Sequence, residues 1–310
     1  MTVLLITALI LLIFILILYI LYRYIFYSPN SRQNDDYGIK TAVPTEEMKE
    51  ESIRLIDRIN ARKYEKVSIT SRDGLRLNGR YYHVGDDRPL AILFHGYRGT
   101  PSRDFCGGAN SCLDLGYNVL SVEERAHCTS EGHTITFGVK ERYDCLAWAE
   151  YAASRFGENK KIVLVGISMG AAIVLMASEL ELPKNVRGII ADCPYTSPKA
   201  IIRKVAARYG YPVPVVYPFI VLSALVFGHF SLTAADSSKA VRKAKVPILL
   251  IHGEADRLVP CDMSRQIAAA NPEKIQLHTF PDAWHGISYM VDNPRYVRLF
   301  SQFCAECLET

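Results

Sequence analysis

The pentapeptide Gly166-Ile167-Ser168-Met169-Gly170 sets a serine between two glycines, after the apolar run KIVLVGI and before the helix-like GAAIVLMASEL. A strand, a sharp turn and a helix are the setting in which a hydroxyl is pushed out above a sheet on strained backbone, and small residues at 166 and 170 permit that turn. Five letters alone also fit a small residue packed at a corner, so other groups must decide. A serine hydroxyl is a weak nucleophile until a base takes its proton, and the base needs a third group to orient it. LLIHGEADRLVP ends an apolar run with Asp256 in the loop beyond, and HTFPDAWHGISY ends the next with His285. Ser168, Asp256 and His285 are therefore the expected catalytic set, suited to acyl transfer. His252 competes as base, but it abuts its strand and precedes a glycine, which suits a support for the Asp256 loop. Asp192 and Asp282 compete as acids, and Asp282 also fits a role in shaping the loop of His285.

Attack on an acyl carbon creates an oxyanion that needs preorganised donors. One is expected from the backbone N–H of Met169, where the helix after the turn begins. The other is expected from Tyr97 in FHGYRGTP, where Gly96 and Gly99 let the backbone come close. His95 reads as a structural histidine beneath that loop.

These loops need a sheet to hold them. Short apolar runs rich in β-branched residues, over 65–70, 75–84, 89–96, 117–123, 161–168, 186–193, 246–253 and 275–281, alternate with helical patterns. Several later runs are continuously apolar, as strands buried on both faces are, and helical crossovers imply a mostly parallel sheet. The first two runs fit an antiparallel edge hairpin. Ahead of them, Met48, Ile53, Leu55, Ile56 and Ile59 repeat at helical spacing. Between 197 and 240 the alternation breaks, and YPVPVVYPFIVLSALVFGHF reads as an apolar helical lid. Pro212, Pro214 and Pro218 interrupt it, leaving too short a stretch to span a bilayer.

Residues 3–22 carry no charge, which is long enough for a membrane-spanning helix. No basic segment precedes it and no small-x-small site follows, so a retained anchor is expected rather than a cleaved signal. Tyr19, Tyr22, Tyr24 and Tyr27 gather at its C-terminal end, as at a headgroup layer, and Arg23, Arg32 and Lys40 follow, which places the catalytic body in the cytoplasm. The chain thus divides into an anchor (1–27), a polar linker (28–45) and a catalytic domain (46–310) with its lid at about 197–240. A net charge of +4 spread along 310 residues lacks the basic clusters of a nucleic-acid footprint. The cysteines at 106, 112, 128, 145, 193, 261, 304 and 307 show no framework spacing, so free thiols are expected. Cys304 and Cys307 have no second ligand pair to complete a zinc site.

LFHGYRGT, ERAHCTSEGHTITFGVKERYD, VGISMGAA, ADCPYTSP, IHGEADRLVP and AWHG together resemble the α/β-hydrolase superfamily, in particular bacterial lysophospholipase-like or S33-peptidase-like serine hydrolases, over about 65–307. The resemblance implies an α/β fold with a mostly parallel eight-stranded sheet flanked by helices. It also implies a serine-dependent hydrolase acting through an acyl-enzyme, with no metal or organic cofactor. The chain departs from the relatives' Asp-x-Arg-x-x-Gly-x-Ser: Glu123, Arg125, Cys128 and Ser130 stand there, and Cys128 replaces a glycine in a turn suited to positive φ. The expected activity is hydrolysis of carboxylic esters of medium or long acyl or lipid-like character. The alternatives are an amidase or peptidase with the same residues, and a binding protein that keeps the fold without catalysis.

Overall fold

The structure, a computed structural model, describes residues 1–29 and 43–309. Most of the expected linker, with Arg32 and Lys40, lies outside the described residues. In chain order the elements are α1 (Thr2–Ile25), α2 (Glu46–Asn60), β1 (Glu65–Thr70), β2 (Arg76–Tyr82), β3 (Leu90–Phe94), α3 (Pro101–Asp104), α4 (Cys106–Asp114), β4 (Asn118–Val122), α5 (Glu141–Phe156), β5 (Ile162–Ile167) and α6 (Met169–Ala177). There follow β6 (Val186–Asp192), α7 (Pro198–Arg208), α8 (Val213–Val226), α9 (Ser237–Ala240), β7 (Ile248–Gly253), α10 (Asp262–Ala270), β8 (Ile275–Phe280), α11 (Ser288–Val291) and α12 (Asn293–Glu309).

The eight strands form one sheet in the order β1-β2-β4-β3-β5-β6-β7-β8. β1 and β2 make the edge hairpin, β2 runs antiparallel to β4, and every later pairing is parallel. The apolar runs explain this: β3, β4 and β7 are buried along their whole length, which requires cover on both faces. α5 and α6 supply it on one face through Trp148, Ile173 and Leu175, and α4 and α12 on the other through Leu113, Phe303 and Cys304. All eight cysteines are buried and none is joined in a disulfide. α2 starts where Thr45 Oγ1 accepts the Met48 N–H at 3.2 Å and turns Leu55, Ile56 and Ile59 inward, as its spacing implies.

α1 is long and apolar enough to cross a membrane. Most of its surface is exposed, but its C-terminal end enters the body: Leu18 and Tyr22 are buried and Phe26, just beyond it, has no exposed surface. α8 lies beside it, with Phe219 against Phe14 and Phe227 against Tyr19 and Tyr22. The prolines do not break α8. Pro214 sits in its first turn and Pro218 inside it, so only the bond from residue 218 to the carbonyl of Pro214 is forfeited. At 14 residues it is still too short to span a bilayer.

Candidate active site

β5 delivers Ser168 into a backbone that few residues other than glycine adopt, with φ 55° and ψ −112°. The Ser168 N–H donates to the Asp192 carbonyl at 2.8 Å and its own carbonyl accepts the Ala172 N–H at 3.1 Å, so the turn is tied to both the sheet and α6. Its glycines are required by space: a Cβ on Gly166 would stand 2.2 Å from the Gly170 carbonyl oxygen, and one on Gly170 only 1.8 Å from that of Phe94.

The loop after β8 brings His285 to Ser168, with Nε2 at 2.8 Å from the serine Oγ. The loop after β7 brings Asp256 behind it, with Oδ2 at 2.6 Å from His285 Nδ1. Asp256 is itself clamped, its Oδ1 accepting the N–H groups of Leu258 (2.8 Å) and Val259 (2.9 Å). His252 Nε2 lies 3.3 Å from Oδ2, and its ring is held by the Val259 carbonyl at 2.9 Å and the Ser264 hydroxyl at 2.7 Å. Burial pushes the Asp256 carboxyl up, but hydrogen bonds from His252 and His285 outweigh it and hold the group well below the usual carboxylate range, so it stays ionised. His252 therefore stands as a support of the Asp256 loop. Asp192 is buried at the end of β6, where burial pushes its carboxyl up to about 6, and Asp282 is exposed; the imidazole hydrogen-bonds to neither.

The loop after β3 reaches over the serine: a Cβ on Gly96 would stand 3.4 Å from Ser168 Cβ. It carries Tyr97. Beneath it, the Gly96 N–H donates to Asp104 Oδ2 at 2.8 Å, His95 Nδ1 donates to the Gly96 carbonyl at 2.9 Å, and the Arg98 N–H donates to His127 Nε2 at 3.0 Å. Burial pushes His95 down to about 4 and His127 down to about 3, so both rings are neutral at pH 7. Met169 opens α6, and a first-turn N–H has no acceptor within its own helix.

Among the described residues, two groups of side chains have metal-ligand spacing, His95 with Glu124 and His127, and Cys193 with Asp256 and His285. In the first, each ring nitrogen already bonds to backbone. In the second, both His285 nitrogens and Asp256 are engaged as described. In the first group only the Glu124 carboxylate, buried without a hydrogen-bond partner, is unengaged.

The departures at 123 and 128 leave the loop intact. Glu123 Oε2 accepts the Thr129 N–H at 2.8 Å and its hydroxyl at 2.5 Å, and Cys128 takes φ 46°, the left-handed backbone expected where relatives carry glycine. Sequence reasoning missed the partners of Arg125. Its guanidinium is buried and bidentate to both Asp144 (2.6 and 2.7 Å) and Asp73 (2.9 Å twice); Asp144 ends the quoted ERYD, whereas no local signal marks Asp73.

The prolyl oligopeptidase family matches residues 134–310, more than half of the chain, a stretch that holds Ser168, Asp256 and His285. The uncharacterized protein YqkD of Bacillus subtilis is 23% identical over 192 residues, 62% of this chain and 63% of that protein, so the chain spans less than two thirds of that relative. The lysophosphatidylserine lipase ABHD12 of Rattus norvegicus is 25% identical over 240 residues, 71% of this chain and 56% of the rat protein. Among solved structures, the Pyrococcus furiosus esterase Pf2001 superposes with a TM-score of 0.66 at 24% identity, covering 81% of this chain and 94% of the esterase, which shows a shared fold.

Proposed function

Because the chain belongs to the prolyl oligopeptidase family, hydrolases of the α/β-hydrolase superfamily, we propose that it is a membrane-anchored serine hydrolase cleaving carboxylic esters of medium or long acyl chains. One observation carries the reading: the unbroken relay from Ser168 Oγ through His285 to Asp256, at 2.8 and 2.6 Å. With Nδ1–H donated to the ionised Asp256, His285 keeps Nε2 as a proton acceptor facing the serine.

Ser168 Oγ attacks the ester carbonyl while its proton passes to His285 Nε2, and Asp256 stabilises the imidazolium that results. The N–H groups of Met169 and Tyr97 hold the oxyanion. Collapse breaks the bond to the alcohol oxygen, which takes the proton from His285 and leaves. Water then gives a proton to His285 as its oxygen attacks the acyl carbon; the bond from that carbon to Ser168 Oγ breaks, Oγ takes the proton back from His285, and the acid leaves. No cofactor enters these steps.

The apolar α8 supports a lipid-like acyl group: Val215, Leu225 and Val226 are exposed beside α1, which is suited to a bilayer. The rat relative's description as a lysophosphatidylserine lipase supports the same class. α1 supports a bilayer anchor, and the basic residues that follow it support a cytoplasmic catalytic body. The family's description as oligopeptidases favours a second reading, amide hydrolysis by the same residues.

The test is hydrolysis of p-nitrophenyl esters from acetate to palmitate, beside matched anilides, by the full chain in lipid nanodiscs and by its Ser168→Ala variant. Turnover that vanishes in the variant and peaks at medium or long chains supports the proposal. An optimum at acetate removes the lipid-like substrate, and anilides cleaved better than esters put the second reading first.

A further inference from the structure

The loop that carries Tyr97 is gripped from two sides, and the second grip comes from the membrane helix. The last carbonyls of an α-helix have no intrahelical donor, and that end carries the negative pole of the helix dipole. Two of those carbonyls on α1 are satisfied by this loop: the Tyr97 hydroxyl donates to the Ile25 carbonyl at 2.7 Å, and Arg98 Nη2 donates to that of Tyr24 at 2.8 Å. Arg98 Nη2 also reaches the Tyr27 carbonyl at 3.2 Å. A cation and a hydroxyl thus cap the cytosol-proximal end expected of the anchor.

The turn after α1 is built into the body around this contact. Ser28 N–H donates to the His133 carbonyl at 2.9 Å, Ile135 N–H donates to the Phe26 carbonyl at 2.8 Å, and the Tyr22 hydroxyl meets the Thr134 hydroxyl at 2.7 Å. Phe26 packs edge-on against Phe137, and Phe137 stacks on the Tyr97 ring at 5.1 Å between centroids. Arg98 itself sits at φ 53°, a backbone that persists only where its surroundings hold it.

We propose that the C-terminal turn of the anchor helix is a structural part of the oxyanion loop, with Tyr97 and Arg98, through their side chains, as positioning residues that hold the Tyr97 N–H at the distance catalysis needs. The proposal rests on the serine-hydrolase reading above. The membrane segment is then more than a tether, because removing it takes away the acceptors that both side chains use. A misplacement of about 1 Å in a catalytic group costs on the order of a hundredfold in rate, and loss of a donor's alignment weakens the transition state more than ground-state binding.

The experiment uses the full chain in nanodiscs with p-nitrophenyl acetate, a soluble ester that does not have to be drawn from the bilayer. Arg98→Ala is expected to lower kcat roughly tenfold with KM within about twofold, and Arg98→Lys to recover part of the loss by keeping the cation. Tyr97→Phe removes one oxygen and keeps the N–H, and is expected to lower kcat about threefold. It decides the matter if Arg98→Ala fails to fold. Leu9→Ala, on the exposed flank of α1, is expected to match wild type. Unchanged kcat in both Tyr97→Phe and Arg98→Ala, or an equal loss in Leu9→Ala, overturns the proposal alone. Turnover that survives Ser168→Ala overturns the hydrolase reading and the proposal with it.

Discussion

Gly170→Ala tests whether the serine turn is held by steric contact rather than by its sequence pattern. The added Cβ would stand 1.8 Å from the Phe94 carbonyl oxygen, 2.4 Å from its carbon and 2.7 Å from the His95 carbonyl oxygen. Ordinary contact begins at 3.4 Å, and all three atoms are backbone at the end of β3, so no side chain can swing away. α6 must retreat by roughly 1 to 1.5 Å even if β3 yields a little, a shift set by the contact radii of close-packed atoms. Ser168 caps that helix and moves with it. A retreat of about 1 Å lengthens the 2.8 Å bond to His285 beyond hydrogen-bonding range and displaces the Met169 N–H from the oxyanion position proposed for it. The expected loss in kcat is about a hundredfold or more, with about 1–3 kcal/mol of stability lost to overpacking. The assay is ester turnover by the full chain with a thermal melt of each protein, beside Gly157→Ala. That control meets no atom within 4 Å, though its φ of 86° strains any side chain. The control should keep full turnover and lose about 1–3 kcal/mol, because its φ and ψ of 86° and 161° fall in a region that glycine alone adopts readily. A Gly170→Ala enzyme within threefold of wild type would refute the reasoning, because the close crossing of α6 and β3 would then not set the serine's position.

Three other outcomes follow from the same geometry. Asp256→Asn should fold but lose roughly 10⁴ in kcat: with its oxygen kept toward the Leu258 and Val259 N–H groups, its amide faces His285 and forces the tautomer that cannot take the Ser168 proton, which steady-state kinetics on purified protein would read. Acid should weaken what the two loop histidines contribute. The folded values of His95 and His127 lie below the ordinary 6.5, at about 4 and about 3, so their contribution is fully present above pH 6.5 and falls away as pH drops from there to 4 and below, by a few kcal/mol. Burial raises the carboxyls of Glu124, Asp144 and Asp192, which gain stability over the same range, so the reading is taken as a difference: relative to wild type, the urea midpoint of His127→Gln should rise as pH falls from 7 to 4.5, and identical changes in the two proteins would contradict this. Phe26→Ala should cost about 3–5 kcal/mol in a thermal melt, since this ring just beyond α1 has no exposed surface; an unchanged melting temperature would mean that α1 is not docked.

Much of this arrangement is legible in the chain because it is local. Each strand announces itself as an apolar run, from the edge hairpin at Glu65–Tyr82 to β8 at Ile275–Phe280, and Ser168, Asp256 and His285 each lie in the loop just past one of them. His252 is legible for the same reason, being the end of β7 itself. What was not legible depends on contacts between distant segments. Nothing around Tyr97 or Arg98 signals that their side chains meet Ile25 and Tyr24 more than 70 positions away, and nothing around Asp73 signals Arg125. The prolines of α8 read in the sequence as interruptions, yet Pro214 falls in a first turn where no bond is lost and only Pro218 lies inside, and the helix is nonetheless too short to span a bilayer.

The central claim is that Ser168 is the nucleophile, and covalent trapping tests it most directly. The full chain in nanodiscs is treated with a fluorophosphonate, digested and mapped by mass spectrometry. The account predicts one equivalent of adduct on the peptide bearing Ser168, loss of ester turnover in proportion to labelling, and no adduct in Ser168→Ala. An adduct on another residue, or ester turnover that persists with Ser168 fully labelled, would contradict it.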